Sequence, residues 1–185
     1  MCCILYIPTG VATPTIDTLE SVFLANRHGI GFADSDGNTI KTLSFARFTK
    51  AIQKRSIESP CIIHFRLATH GSISTKNCHP FYDPETDIWF AHNGVLPIET
   101  YDDMTDSEIF FREGFLNTLD SSHLGYDDPD LWRYVNEVRG TSRFVFMRGE
   151  DVRLLGDWHE LDGVHYSNMN WAHGYRYAHY ARNWR

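Results

Sequence analysis

No apolar stretch in this sequence approaches the roughly 18 residues that a membrane-spanning helix needs, so no membrane partner is expected. A basic excess is missing as well. Seventeen lysines and arginines face 24 acids, a formal charge of −7, which argues against a broad polyanion-binding surface and against nucleic acid as a partner. Cysteine is scarce, with four in 185 residues. Cys2, Cys3, Cys61 and Cys78 are too few and too unevenly spaced for a disulfide scaffold, so a reducing, cytoplasmic setting is the expectation. The segment Met1-Cys2-Cys3-Ile4-Leu5-Tyr6-Ile7-Pro8 lacks the basic and long apolar regions of a secretory signal, although adjacent cysteines there also admit S-acylation. Internal repeats, linkers and low-complexity tracts are absent too, which predicts a single domain over residues 1–185. With 42% hydrophobic and 14% aromatic residues, that domain has ample material for a packed core.

Residues 3–7 read as a short buried strand bounded by Pro8 and Gly10. Asp17-x-x-Glu20 ahead of Val22, Phe23 and Leu24 predicts a capped helix ending near Ala25. Residues 29–33 and 39–43 flank Asp34-Ser35-Asp36-Gly37-Asn38 as a hairpin. A helical pattern runs over 45–57 and is closed by Ser59-Pro60. Residues 61–68 and 88–92 form two further buried strands. Thr105-x-x-Glu108 is a capping box opening a helix through Leu119, and a second helix runs from Pro129 to Val138, stopped at Gly140. Residues 142–147 and 152–155 make another hairpin, with one more strand at 164–166. Strands in pairs with helices grouped between them give an α+β class with largely antiparallel sheets.

Position 2 carries the first chemistry. An initiator Met is normally trimmed before a residue as small as Cys, which leaves Cys2 with a free α-amine. A thiol of pKa about 8.5 and an α-amine of about 7.7–8.0 then form a compact nucleophile and base. Arg66, near the end of a buried strand, is costly to place unless a carboxylate meets it; a structural salt bridge is the plainer explanation. The side-chain amide of Asn93 and the N–H of Gly94 can aim at one spot as oxyanion donors, but Asn-Gly is also a common tight-turn dipeptide. Asp106 opens a helix, where the dipole alone favours an acid; a functional Asp would face an ammonium group. Cys61-x-x-His64, Cys78-His79, His70 and His92 lack a second pair at finger-like spacing, so no metal is expected. Residues 171–185 mix aromatics with arginine and hold no acid. Stacking on single-stranded nucleic acid is one use of such a tail, but docking on the core or a partner is the expectation.

Taken in order, Cys2, Arg66-x-Ala68-Thr69-His70-Gly71, Asn77-x-His79-Pro80-Phe81, His92-Asn93-Gly94 and Asp106-Ser107-Glu108 form a specific pattern. It resembles the class II glutamine amidotransferase (glutaminase) domains of the N-terminal-nucleophile (Ntn) hydrolase superfamily. The resemblance covers residues 2 to about 110. It is thinner beyond, where 142–147 and Tyr166-Ser167-Asn168 look like later core strands. It implies a four-layer αββα sandwich with two antiparallel sheets. It also implies that Cys2 attacks the side-chain amide of L-glutamine or a γ-glutamyl compound, giving a thioester, ammonia and glutamate. Asn93 and Gly94 would then hold the oxyanion, Arg66 the α-carboxylate and Asp106 the α-ammonium, with Thr69 and His70 lining the same pocket. No cofactor is implied. The ammonia would go to a separate acceptor subunit, or the chain would act as a stand-alone amidohydrolase; a homo-oligomer is compatible with either.

Two positions depart from the family pattern. Cys3 stands where Gly is usual, and would strain the strand wherever that position needs a conformation only Gly adopts freely. His28, in Asn26-Arg27-His28-Gly29, stands where an Asp is common. These departures keep open a catalytically silent binding protein on the same fold; a Cys/His zinc module, resting on Cys61, His64, His70, Cys78, His79 and His92, is the lesser alternative.

Overall fold

The computed structural model describes residues 1–68, 72–121 and 124–172. In chain order the elements are β1 (Cys3–Ile7), α1 (Ile16–Ala25), β2 (Ile30–Asp34), β3 (Thr39–Thr42), α2 (Phe45–Ile52), β4 (Cys61–Phe65), a 3-10 turn (Thr75–Asn77), β5 (Phe81–Asp83) and β6 (Ile88–Asn93). There follow α3 (Asp106–Ile109), a π-helical stretch (Phe110–Phe115), α4 (Leu116–Ser121), α5 (Pro129–Arg139), β7 (Arg143–Arg148), β8 (Asp151–Leu155), β9 (His159–Leu161) and β10 (Val164–Tyr166).

One sheet has the order β3-β2-β4-β1-β10-β9 and the other β5-β6-β7-β8; every strand pair is antiparallel. The period-two alternation of strand side chains sorts the core into three levels. Cys3, Leu5, Ile7, Phe32 and Phe65 pack outward on Leu19 and Val22 of α1 and on Phe48 and Ile52 of α2. Ile4, Ala33 and Ile62 point the other way and meet Trp89, Ala91, Val145 and Met147 of the second sheet. Phe90, Phe144 and Phe146 on its far side pack under Phe110, Phe111 and Phe115 and under Leu131 and Val135 of α5. Helices, sheet, sheet and helices are therefore stacked in four layers, as the family resemblance implies.

Several local expectations need correction. The N-cap of α1 is Thr15, whose hydroxyl accepts from the N–H of Thr18, so Asp17 sits inside the first turn. The helix expected over 45–57 stops at Ile52. Beyond it the chain bends so that the Arg55 guanidinium can donate to the carbonyls of Pro8, Val11 and Ser59, contacts a continued helix would not reach. Cys3 is not strained. It lies in β1 opposite Phe65, and the non-glycine residues with left-handed backbone among those described are Asp87, Asp102, Asp103 and Asp162. Its side chain is wholly buried in the outer core, and burial pushes the thiol up to about 12, which makes it inert.

Candidate active site

Cys2 precedes β1 and is half-buried. Two loops fix it. The N–H of Leu67, just past β4, donates to its Sγ at 3.3 Å, and the side-chain amide of Asn168, just past β10, donates to its carbonyl at 2.6 Å. Burial raises the thiol pKa, while the Leu67 N–H, the amino-terminal charge and Arg66 pull it down. An added positive or hydrogen-bonding group at this sulfur thus acts in the direction of thiolate.

The Arg66 segment continues β4 irregularly. Its N–H donates to the carbonyl of Gly29 and its own carbonyl accepts from the N–H of His28, at 2.8 and 2.9 Å. His28 adds a side-chain tie, its Nδ1 accepting from the N–H of Ala68 at 2.9 Å. The residue at the departing position is therefore used to hold the Arg66–Ala68 backbone. The Arg66 guanidinium is buried, and its Nη1 donates to the Ser72 carbonyl at 2.8 Å, which the Asn77 amide also reaches.

Asn93 ends β6, and Asn93-Gly94 closes no hairpin. Gly94 has φ +155°, and a Cβ there would lie 2.1 Å from Ser142 Oγ and 3.0 Å from His92 Nε2, so close packing demands glycine. The chain runs on to Leu96, whose N–H donates to Asp106 Oδ2 at 2.8 Å. Asp106 Oδ1 accepts from the N–H of Ser107, and Thr105 caps α3 by accepting from Glu108 N–H. The helix start thus fixes the carboxylate and, through it, the loop after Gly94.

Cys2, Arg66, Gly94 and Asp106, together with His64, His79 and His92, line one small cavity of about 40 Å³. Asn93 adjoins it through Gly94. Thr69 and His70 lie outside the described residues, as does the tail beyond Ala172. Of the tail 171–185, Trp171 is described and is buried against Tyr166 in the outer core.

Sequence reasoning missed the three histidines as a unit. The N–H of His79 donates to His64 Nδ1 and that of His92 to His79 Nδ1, each at 3.2 Å, with the His64 and His79 rings stacked 4.2 Å apart. His92 Nδ1 lies 2.7 Å from Ser107 Oγ. His79 and His92 fall within the motif strings and His64 on β4, but nothing in their spacing signals the column. Cys61 sits on the helix-facing side of β4, away from His64. Among the described residues no group of three or more His, Cys, Asp or Glu is arranged to hold a metal ion, and no helix is long and apolar enough to cross a membrane.

Burial holds His64 and His79 well below the usual imidazole range, with Arg66 and the neighbouring rings adding to it. His92 is lowered to about 4 by burial against the opposing pull of Asp106. Below pH about 6.5 the unfolded chain takes up protons that these rings refuse in the fold. Stability is therefore full above pH 6.5 and lost as the pH falls towards 4. The limiting slope is about 1.4 kcal/mol per pH unit for each histidine, about 4 for all three. Urea midpoints measured between pH 7.5 and 4.5 should fall steeply; midpoints flat to pH 5 would contradict the buried neutral column.

The family model described as "Glutamine amidotransferases class-II" matches residues 27–161. A glutamine–fructose-6-phosphate aminotransferase (isomerizing) from Methanococcus maripaludis is 52% identical over 33 residues, 18% of this chain and 6% of that protein. Among solved structures, a glutamine phosphoribosylpyrophosphate (PRPP) amidotransferase from B. subtilis, complexed with ADP and GMP, superposes with a TM-score of 0.60 at 16% identity. That match covers 89% of this chain and 41% of the other, so the chain spans less than half the length of each relative it matches. The fold is similar to that of this amidotransferase, and with the family model running across most of its length, this chain belongs to the class II glutamine amidotransferases.

Proposed function

We propose that the chain hydrolyses the side-chain amide of L-glutamine, or of a γ-glutamyl relative, with Cys2 as nucleophile once Met1 is removed. The sulfur forms a bond to the amide carbon, and the carbonyl becomes an oxyanion held by the Asn93 amide and the Gly94 N–H. The α-amine of Cys2 takes the thiol proton and delivers it to the nitrogen. The C–N bond then breaks, releasing ammonia and leaving a thioester. Water cleaves the thioester to glutamate and the free thiol. The observation that carries this reading is the convergence of Cys2, Arg66, Gly94 and Asp106 on one cavity, although more than a hundred residues separate the first from the last. One cation, one anion and a donor pair around a thiol suit a zwitterionic amino acid bearing an amide.

Within this reading a free thiol requires a reducing compartment, hence a cytoplasmic setting. The ammonia is passed to an acceptor carried by a separate subunit or further domain, or released by a stand-alone amidohydrolase. The test is ammonia release from L-glutamine by Met1-trimmed protein, compared with Arg66→Ala. Losing a charge-assisted partner of the α-carboxylate should raise KM about 10- to 100-fold, with a smaller change in kcat. No ammonia above the solution rate from the trimmed wild type would overturn the proposal.

A further inference from the structure

Ser167 follows β10 by one residue and is wholly buried. Its Oγ accepts two N–H groups, from Ile4 at 2.8 Å and from the Asn93 side chain at 2.9 Å. Ile4 lies in β1 of the six-stranded sheet, two residues from Cys2; Asn93 ends β6 of the four-stranded sheet. One hydroxyl thus joins the two sheets where the nucleophile's strand faces the donor's strand. Its backbone tightens the joint, since Ser167 N–H donates to the Ile4 carbonyl at 2.9 Å. Asn168 next to it anchors the Cys2 carbonyl.

The terminal torsion of an Asn side chain is broad, so an amide aimed at an oxyanion needs an anchor. Asn93 Oδ1 has no hydrogen-bond partner among the described residues, which leaves the Nδ2–Ser167 bond as the contact that sets the amide's rotation. An amide nitrogen has two protons; one on Ser167 leaves the other for the reaction. We infer that Ser167 is a positioning residue, which fixes the rotation of the Asn93 amide and its distance from Cys2 and so keeps the oxyanion donor in register with the nucleophile. The inference rests on the proposed glutaminase reading.

A mutant cycle tests it. Ser167→Ala should lower kcat for glutamine hydrolysis about 10-fold with KM within about twofold, because a misplaced donor weakens the transition state more than the ground state. In an Asn93→Ala background the same change should cost less than about twofold, since the group it positions is gone. Equal losses in both backgrounds would mark Ser167 as merely structural and overturn the inference. A second readout needs no turnover and no variant. In the 15N spectrum of the wild-type protein one side-chain N–H of Asn93 should exchange slowly, held on Ser167. Two rapidly exchanging protons would overturn the inference even if Ser167→Ala fails to fold. A wild type that releases no ammonia would sink the proposed function but leave this spectroscopic test decisive.

Discussion

Replacing Cys2 by alanine should lower ammonia release from glutamine at least about 10³-fold, with little loss of stability. The side chain is half-buried and belongs to none of the three core clusters. Its sulfur makes weak contacts to the Leu67 backbone, so the thermal midpoint should move by no more than the equivalent of about 1 kcal/mol. The other thiols offer no substitute. Cys3 and Cys61 are wholly buried beneath the first pair of helices, and burial pushes both up to about 12. Cys78 is also buried, with its thiol raised by desolvation and its sulfur 3.6 Å from the Ser74 carbonyl. Full activity in Cys2→Ala would end the thiol mechanism at this position.

Gly94→Ala should cost about 10²–10³ in kcat, the scale of losing one oxyanion donor, and should destabilise the fold as well. A methyl at this position would sit 2.1 Å from Oγ and 2.7 Å from Cβ of Ser142, so the backbone must move and carry its N–H away from the cavity. A second substitution separates the collision from any other effect. Ser142→Gly removes both atoms and should restore part of the activity and stability of Gly94→Ala, leaving the 3.0 Å approach to His92 Nε2 and the positive φ in place. Wild-type kcat in Gly94→Ala would show that this N–H takes no part, and no recovery in the double variant would show that the collision is not the cause.

What the sequence made readable follows from where the information is local. The strands expected over 3–7, 61–68 and 88–92 are apolar runs bounded by turn residues, and they appear as Cys3–Ile7, Cys61–Phe65 and Ile88–Asn93, the second ending three residues early. The strands Phe81–Asp83 and His159–Leu161 were missed because three residues carry no period. Arg55 ended α2 early through carbonyls supplied by residues 8, 11 and 59, a long-range cause invisible in a helical pattern. The π-helical stretch within the helix opened by Thr105 shares the apolar spacing of an ordinary helix, so nothing in Phe110–Phe115 announces it.

The candidate site divides along the same line. Cys2, Arg66, Asn93-Gly94 and Asp106 were legible because each is chemically conspicuous at the end or start of an element. Their supports were not. Ser167, Asn168 and the His64–His79–His92 column act by bridging segments more than ten residues, and in three cases more than seventy residues, apart. The expectation of strain at Cys3 failed for a related reason: its conformation is set by pairing with Phe65, a partner that residue identity at position 3 does not reveal.

Intact-mass spectrometry before and after treatment with the glutamine-analogue electrophile 6-diazo-5-oxo-L-norleucine probes the chemistry at its source. The protein should be lighter than its sequence by one methionine, and the reagent should add once, to Cys2. A retained Met1 with Cys2 unmodified, or an adduct on Cys61 or Cys78, would contradict the account.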